Sequence, residues 1–208
     1  MIRSKYSESV FLNVPFDDAY KKIFQALIFA VYDCGCVARS ALESDDGTEV
    51  RIQKLYRIIS QCKYSIHDIS RTELDPTNNL PRFNMPLELG IFLGAKHFGR
   101  AKHRAKKGLI LDREPYRYQK FCSDIAGQDI RSHALKIKQA IKCVREWLRA
   151  ERQNEGQTLP GANHIHKRYV LFRKQLPALC KHHNMDCGDL SFNDYSIFVI
   201  GWLKANPR

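Results

Sequence analysis

Between residues 9 and 150 the chain alternates short apolar runs with segments of helical periodicity, and this alternation constrains the fold more than any other feature. Residues 9–16 read as a buried strand that ends at a proline turn. Asp17 and Asp18 then open a helix with Tyr20, Ile23, Phe24, Leu27, Ile28 and Val31 at helical spacing. Residues 37–41 form a second strand, Ile52, Leu55, Ile58 and Ile59 mark a second helix, and residues 64–69 form a third strand. A polar stretch, residues 70–82, leads into Asn84-Met85-Pro86-Leu87-Glu88-Leu89-Gly90, where Pro86 suits a first helical turn and Asn84 is the expected N-cap. The Gly90/Gly94 pair is expected to let this helix pack closely. Residues 108–112 are a fourth strand, residues 125–132 contain a short fifth, and Leu135, Ile137, Ile141, Val144, Trp147 and Leu148 mark a closing helix.

Strands alternating with helices predict a flavodoxin-like, doubly wound parallel sheet of five strands. The expected division is an α/β domain over residues 1–152, a linker over 153–163 and a helical C-terminal appendage over 164–208. Pro177 is expected to kink or end the first tail helix, and Ser191 with Asp194 reads as the cap of the second. No apolar run approaches the roughly 18 residues needed to span a membrane, and the start lacks a signal-peptide core. Seven scattered cysteines with no CxxC favour free thiols in a cytoplasmic protein, and no cysteine or histidine spacing makes a persuasive metal site. The net charge of +12 implies an anionic partner, and the densest basic run, Arg100-Ala101-Lys102-His103-Arg104-Ala105-Lys106-Lys107, reads either as an exposed helix end or as a nucleic-acid contact.

In an open α/β sheet of order 2-1-3-4-5, ligands bind beyond the carboxyl ends of the first and third strands. The residues that reach this crevice are Asn13, Pro15 and Phe16 after the first strand and Arg39 near the end of the second. Asp68 and Ser70 follow the third, and Asp112 closes the fourth. The helix carrying Asn84 and Glu88 starts at the same edge, so Asp68 and Glu88 are expected to flank one small pocket. Paired carboxylates suit glycosidic chemistry: one stabilises or attacks the oxocarbenium-like carbon while the other manages a proton or hydroxyl. Phe16 is placed to stack on a base and Asn84 to hold a ribose hydroxyl. Structural readings stand beside these: Glu88 as an acid favoured by the helix dipole, Asp68 as a loop cap, Asn13 as a turn cap, Arg39 as a solvated arginine and His133 as a structural residue. There is no GxGxxG after the first strand, no GxxxxGK[ST], no GxSxG and no HExxH, which argues against dinucleotide dehydrogenases, P-loop NTPases, α/β-hydrolases and zincins.

The strand–Asn13-Val14-Pro15-Phe16, strand–Asp68-Ile69-Ser70 and Asn84-x-Pro-x-Glu88-Leu-Gly90 segments resemble the nucleoside deoxyribosyltransferase-like proteins and their TIR-domain relatives, over roughly residues 9–150. That resemblance implies Glu88 as the catalytic carboxylate, Asp68 as its assistant or a sugar ligand, and Asn84 as a ribose-orienting group. It implies N-glycosidase activity on NAD or a related nucleotide, with NAD a substrate and no cofactor or metal, and a role as a bacterial antiphage-defence or toxin effector. Leu12 and Asn13 stand where many deoxyribosyltransferases carry a tyrosine, and Asn84 where they often place a second acid. Both departures favour hydrolysis, or nucleotide sensing without turnover, over transfer between bases. An NAD-consuming enzyme needs restraint, for which the helical tail, a homo-oligomer or a regulatory partner is the expected source.

Overall fold

A computed structural model describes residues 4–74, 79–81, 83–153, 156 and 158–208. Arg82 and part of the expected linker (154, 155 and 157) lie outside the described residues. Five parallel strands, β1 (Ser9–Asn13), β2 (Val37–Arg39), β3 (Tyr64–Asp68), β4 (Lys107–Asp112) and β5 (Ile130–Ser132), lie in the order β2-β1-β3-β4-β5. This is the flavodoxin-like winding expected from the sequence. Every residue of β1 and β3 is buried, as strands covered on both faces must be.

Side-chain alternation divides the two faces. Val10, Leu12, Tyr64 and Ile66 join one apolar cluster with α1 (Asp18–Asp33) and α5 (Ile137–Glu151). Phe11 points the other way, toward α2 (Arg51–Gln61) and α3 (Asn84–Phe98). A Cβ at Gly108 would lie 2.9 Å from Phe92, so glycine on β4 lets α3 seat its aromatic ring there. Gly90 and Gly94 play no such part: a Cβ at either would meet nothing within 4 Å, because both sit away from the packed stripe of Met85, Leu89 and Phe92.

The basic run folds into the short α4 (Ala101–Arg104) and the approach to β4. Within it Lys106 is fully buried, its Nζ donating to the carbonyls of Ile59 (2.5 Å) and Cys62 at the end of α2. An ammonium is favoured at that negative helix end, although burial holds its pKa down to about 8.

The last two helices, α6 (Ala162–His182) and α7 (Phe192–Ala205), form a third layer over α1. They share the main apolar cluster: Phe29 of α1 meets Tyr169 and Phe172 at 5.5 Å between ring centroids and Trp202 at 5.8 Å. Leu159, between α5 and α6, is buried in the same cluster, and Arg145 donates to the carbonyls of Leu159 and Pro160. The expected appendage is thus continuous with the core of the α/β layers. Pro177 lies inside α6 rather than ending it, on the solvent side, where the carbonyl it leaves without an N–H partner can be hydrated. Ser191 and Asp194 form the expected capping box on α7. Cys180 and Cys187 are joined in a disulfide, correcting the expectation of free thiols there, because the turn after α6 brings their Cα atoms to 5.8 Å. Among the described residues no helix is long and apolar enough to cross a membrane.

Because Phe29 is shared by the second and third layers, Phe29→Ala should cost about 3–5 kcal/mol. In urea titrations of the intact chain, circular dichroism and the fluorescence of Trp147 and Trp202 should report one coincident transition, shifted to lower denaturant in the variant.

Candidate functional site

The carboxyl edge of the sheet gathers Asn13, Asp68 and Asp112 at successive strand ends. Asn13 is buried, and its Nδ2 donates to His67 Nδ1 (2.9 Å) and to the Met85 carbonyl (3.0 Å), fastening the start of α3 to β1. With Nδ1 an acceptor, His67 carries its proton on Nε2, 2.6 Å from Ser65 Oγ, which in turn donates to the Phe11 carbonyl at 3.3 Å. Burial pushes the His67 pKa down to about 3, so the ring is neutral. His67 also lies 4.8 Å from the Phe92 ring.

Asp68 faces the opposite layer. It is fully enclosed, its Oδ2 accepting from the Tyr20 hydroxyl and its Oδ1 from the Ser70 N–H at 2.9 Å. His133 Nε2 stands 3.0 Å from Oδ2, outside hydrogen-bond alignment. The Leu135 N–H donates to His133 Nδ1 at 3.0 Å, which leaves Nε2 as the protonated nitrogen facing Asp68. Ala134 and Leu135 adopt left-handed conformations (φ 50° and 53°) in the turn that brings His133 inward. Burial, and then the Asp68 charge, hold the Tyr20 phenol well above its ordinary pKa.

Asp112 is equally enclosed. Arg117 donates to its Oδ1 from Nε at 2.8 Å and reaches on to the Ile69 carbonyl and Thr72 Oγ1. Burial raises the Asp112 pKa against the opposing effect of Arg117. Arg39 is bracketed as well, with two 2.6 Å bonds to Glu43 and one of 3.0 Å to Gln61. Its guanidinium serves the β2 edge and is buried rather than solvated, because Glu43 and Gln61 enclose it.

Glu88 differs from these acids. It lies on the stripe of Met85, Leu89 and Phe92, is 4% exposed, and among the described residues accepts no hydrogen bond. Arg51, the first residue of α2, approaches its Oε1 to 3.8 Å. Burial dominates over that cation and raises the Glu88 pKa to about 7. The helix begins at Asn84, with Phe83 as its cap residue and no side-chain capping bond, so Asn84 is an exposed first-turn residue rather than the N-cap. Glu88 consequently falls in the second turn, where the dipole offers less to a carboxylate.

No family model, curated protein or solved structure matches this chain.

The loop after β1 carries buried Pro15 and Phe16, the latter 37% exposed and 5.6 Å from Phe24 between ring centroids. Asp17 caps α1 through the Tyr20 N–H at 3.1 Å and pairs with Arg71 through two bonds of 2.5 and 3.0 Å. Arg71 thereby links the loops after β1 and β3 and holds the Asp17 pKa below its ordinary value. Buried Ser70 leaves its Oγ without a partner among the described residues, as do Asn13 Oδ1 and Asp112 Oδ2. The structure therefore gathers Asn13, Pro15, Phe16, Ser70 and Asp112 along one edge, whereas Asp68 and Glu88 belong to separate networks on opposite faces of the sheet. Tyr20, His133, Arg51 and Arg117 are the contacts that sequence reasoning did not assign. A histidine directly after β5 was the one visible hint.

Glu88→Gln should expose the cost of burying this acid. A folded pKa above the ordinary 4.5 means that the wild type loses stability as pH rises from about 4.5 through 7. The full shift corresponds to roughly 3 kcal/mol, which screening at the protein surface reduces to about 1–2 kcal/mol. Thermal melts should therefore show Glu88→Gln gaining on the wild type across that range and holding its advantage at pH 8. Asp68→Asn should instead lower the melting temperature at pH 7, by about 1–3 kcal/mol of stability, because it disturbs a satisfied buried carboxylate.

Proposed function

We propose that this chain is an N-glycosidase that cleaves the base–ribose bond of NAD or a related nucleotide, with Glu88 as its essential carboxylate. The observation that carries the reading is Glu88 itself: a buried acid in an apolar stripe of the helix whose start is fastened to the end of β1, with a pKa near 7 and one cation 3.8 Å away. In the proposed reaction the C–N bond breaks and the base leaves with the bonding pair. Ionised Glu88 stabilises the positive ribosyl carbon or bonds to it. Water then supplies the oxygen of the new C–O bond and releases a proton. Phe16 offers an aromatic face for the base, and Arg51 favours the ionised form of Glu88. Asp68, with both oxygens engaged, acts in this scheme as a positioning residue for the β3 end rather than as a second catalytic acid.

That enclosure of Asp68 also favours a second reading, in which the same edge binds a nucleotide without turnover. One experiment separates the two. Pure protein is incubated with NAD, NADP, nucleosides and nucleoside monophosphates, with free base followed by chromatography and binding followed by calorimetry. Glycosidase activity should fall about 100-fold or more in Glu88→Gln. The wild-type kcat/KM should rise as pH increases through about 7 and then level off, because the ionised carboxylate is the active form. Binding without base release in the wild type would establish the second reading.

A further inference from the structure

The positive charge of this chain is unevenly placed. Residues 131–182 hold twelve Lys and Arg against three Glu, so one quarter of the length carries +9 of the net +12. Some of these cations are internal: Arg152 donates to the Cys34 carbonyl and Arg168 pairs with Asp33 at 3.1 Å. Four of the others lie along α5, while Lys167, Arg173, Lys174 and Lys181 are on α6. Lys138, Lys142, Arg145 and Arg149 recur at intervals of four, three and four residues, a single helical face about 16 Å long. The opposite face, with Ile141, Val144, Trp147 and Leu148, is buried in the core.

This basic face forms one wall of two adjoining grooves, of about 580 and 850 Å3, which share Arg145 and Glu146. The first turn of α6 closes the smaller groove through Gly161, Ala162 and Asn163. Glu146 is the one acid lining either groove among the described residues, and it is 3.9 Å from Lys142. Lys136, Lys138 and Arg149 make no ion pair among the described residues. On α6, burial and then the charge of Lys138 hold the His166 imidazole below its ordinary pKa. A concentration of unneutralised cations this large opposes folding through self-repulsion, and a polyanion relieves it.

We propose that the α5–α6 groove binds the sugar-phosphate backbone of duplex nucleic acid, without reading its sequence. The concave shape and the lining favour this partner. Apart from buried Leu159, no large apolar or aromatic side chain lines either groove. That disfavours base stacking on a single strand and leaves nothing to insert into a lipid interface. A stripe of four to five cations over about 16 Å matches closely spaced phosphates along a duplex. The surface is distinct from the sheet edge carrying Glu88, so the inference does not depend on the glycosidase reading.

The test measures binding of the intact protein to labelled DNA and RNA duplexes of about 20 base pairs, by fluorescence anisotropy across a salt series. Binding should weaken with a log–log salt slope of about −4, as expected for four to five phosphate contacts. Lys138→Gln, Lys142→Gln and Arg149→Gln together should reduce that slope by about three and lower affinity about 10- to 100-fold. Lys142→Gln alone, which spares the fold if the triple variant does not, should reduce the slope by about one. Arg145 is left intact because it anchors the chain ahead of α6. Arg100→Gln, Arg104→Gln and Lys120→Gln, which remove the same charge elsewhere, should change affinity less than about 3-fold. Equal losses in the two triple variants, no binding of either duplex at low salt, or binding to phosphatidylserine vesicles in preference to duplex would each overturn the proposal. Base release serves as an independent readout, since the groove variants should leave it unchanged.

Discussion

The structure depends on one constraint: its central parallel strands are buried on both faces and have no water to meet the polar groups at their ends. β1 and β3 close on Asn13 and Asp68, and β4 on Asp112, all three enclosed. Each is held by a group from a different part of the fold, although Asn13 Oδ1 and Asp112 Oδ2 keep no partner among the described residues. Asn13 reaches the start of α3, Asp68 draws in Tyr20 of α1 and the turn before α5, and Asp112 is held by Arg117. These contacts set how the helices sit against the sheet edge. They also explain why most acids at that edge are occupied, whereas Glu88 is left with a cation at 3.8 Å and no donor among the described residues.

The strands and the winding were legible because they follow from local pattern and chain geometry. Five apolar runs separated by helical periodicity leave few arrangements, and right-handed parallel crossovers reduce them further. The α7 cap was legible for the same reason, since Ser191 and Asp194 are three residues apart and their interaction is local. Glu88 could be singled out as an acid within an apolar helix, and its burial and raised pKa follow from that placement.

What could not be read depends on contacts distant in sequence or on detail within one turn. Asp68 meets Tyr20 and His133, 48 and 65 residues away in the chain, and no local pattern pairs them. The expected pairing of Asp68 with Glu88 overlooked strand parity: Asp68 shares the face of Ile66 and turns toward α1, whereas α3 lies on the other side. Lys106 was hidden in a basic run whose neighbours are solvated, and only the end of α2 shows why one ammonium belongs inside. Arg39 was nominally free in the sequence, yet the short turn after β2 brings Glu43, four residues on, back to claim it.

The loop between β1 and α1 has a further consequence. It is held by Asn13 at one end, by the Asp17 cap at the other, and sideways by Arg71 from the loop after β3. Phe16 thus projects from backbone that folding has already ordered. A planar guest settling on that ring would not have to freeze the segment beneath it, so little of its contact energy would be lost to conformational entropy. Any selectivity there would rest on a shape fixed by folding and less on adaptation of the loop.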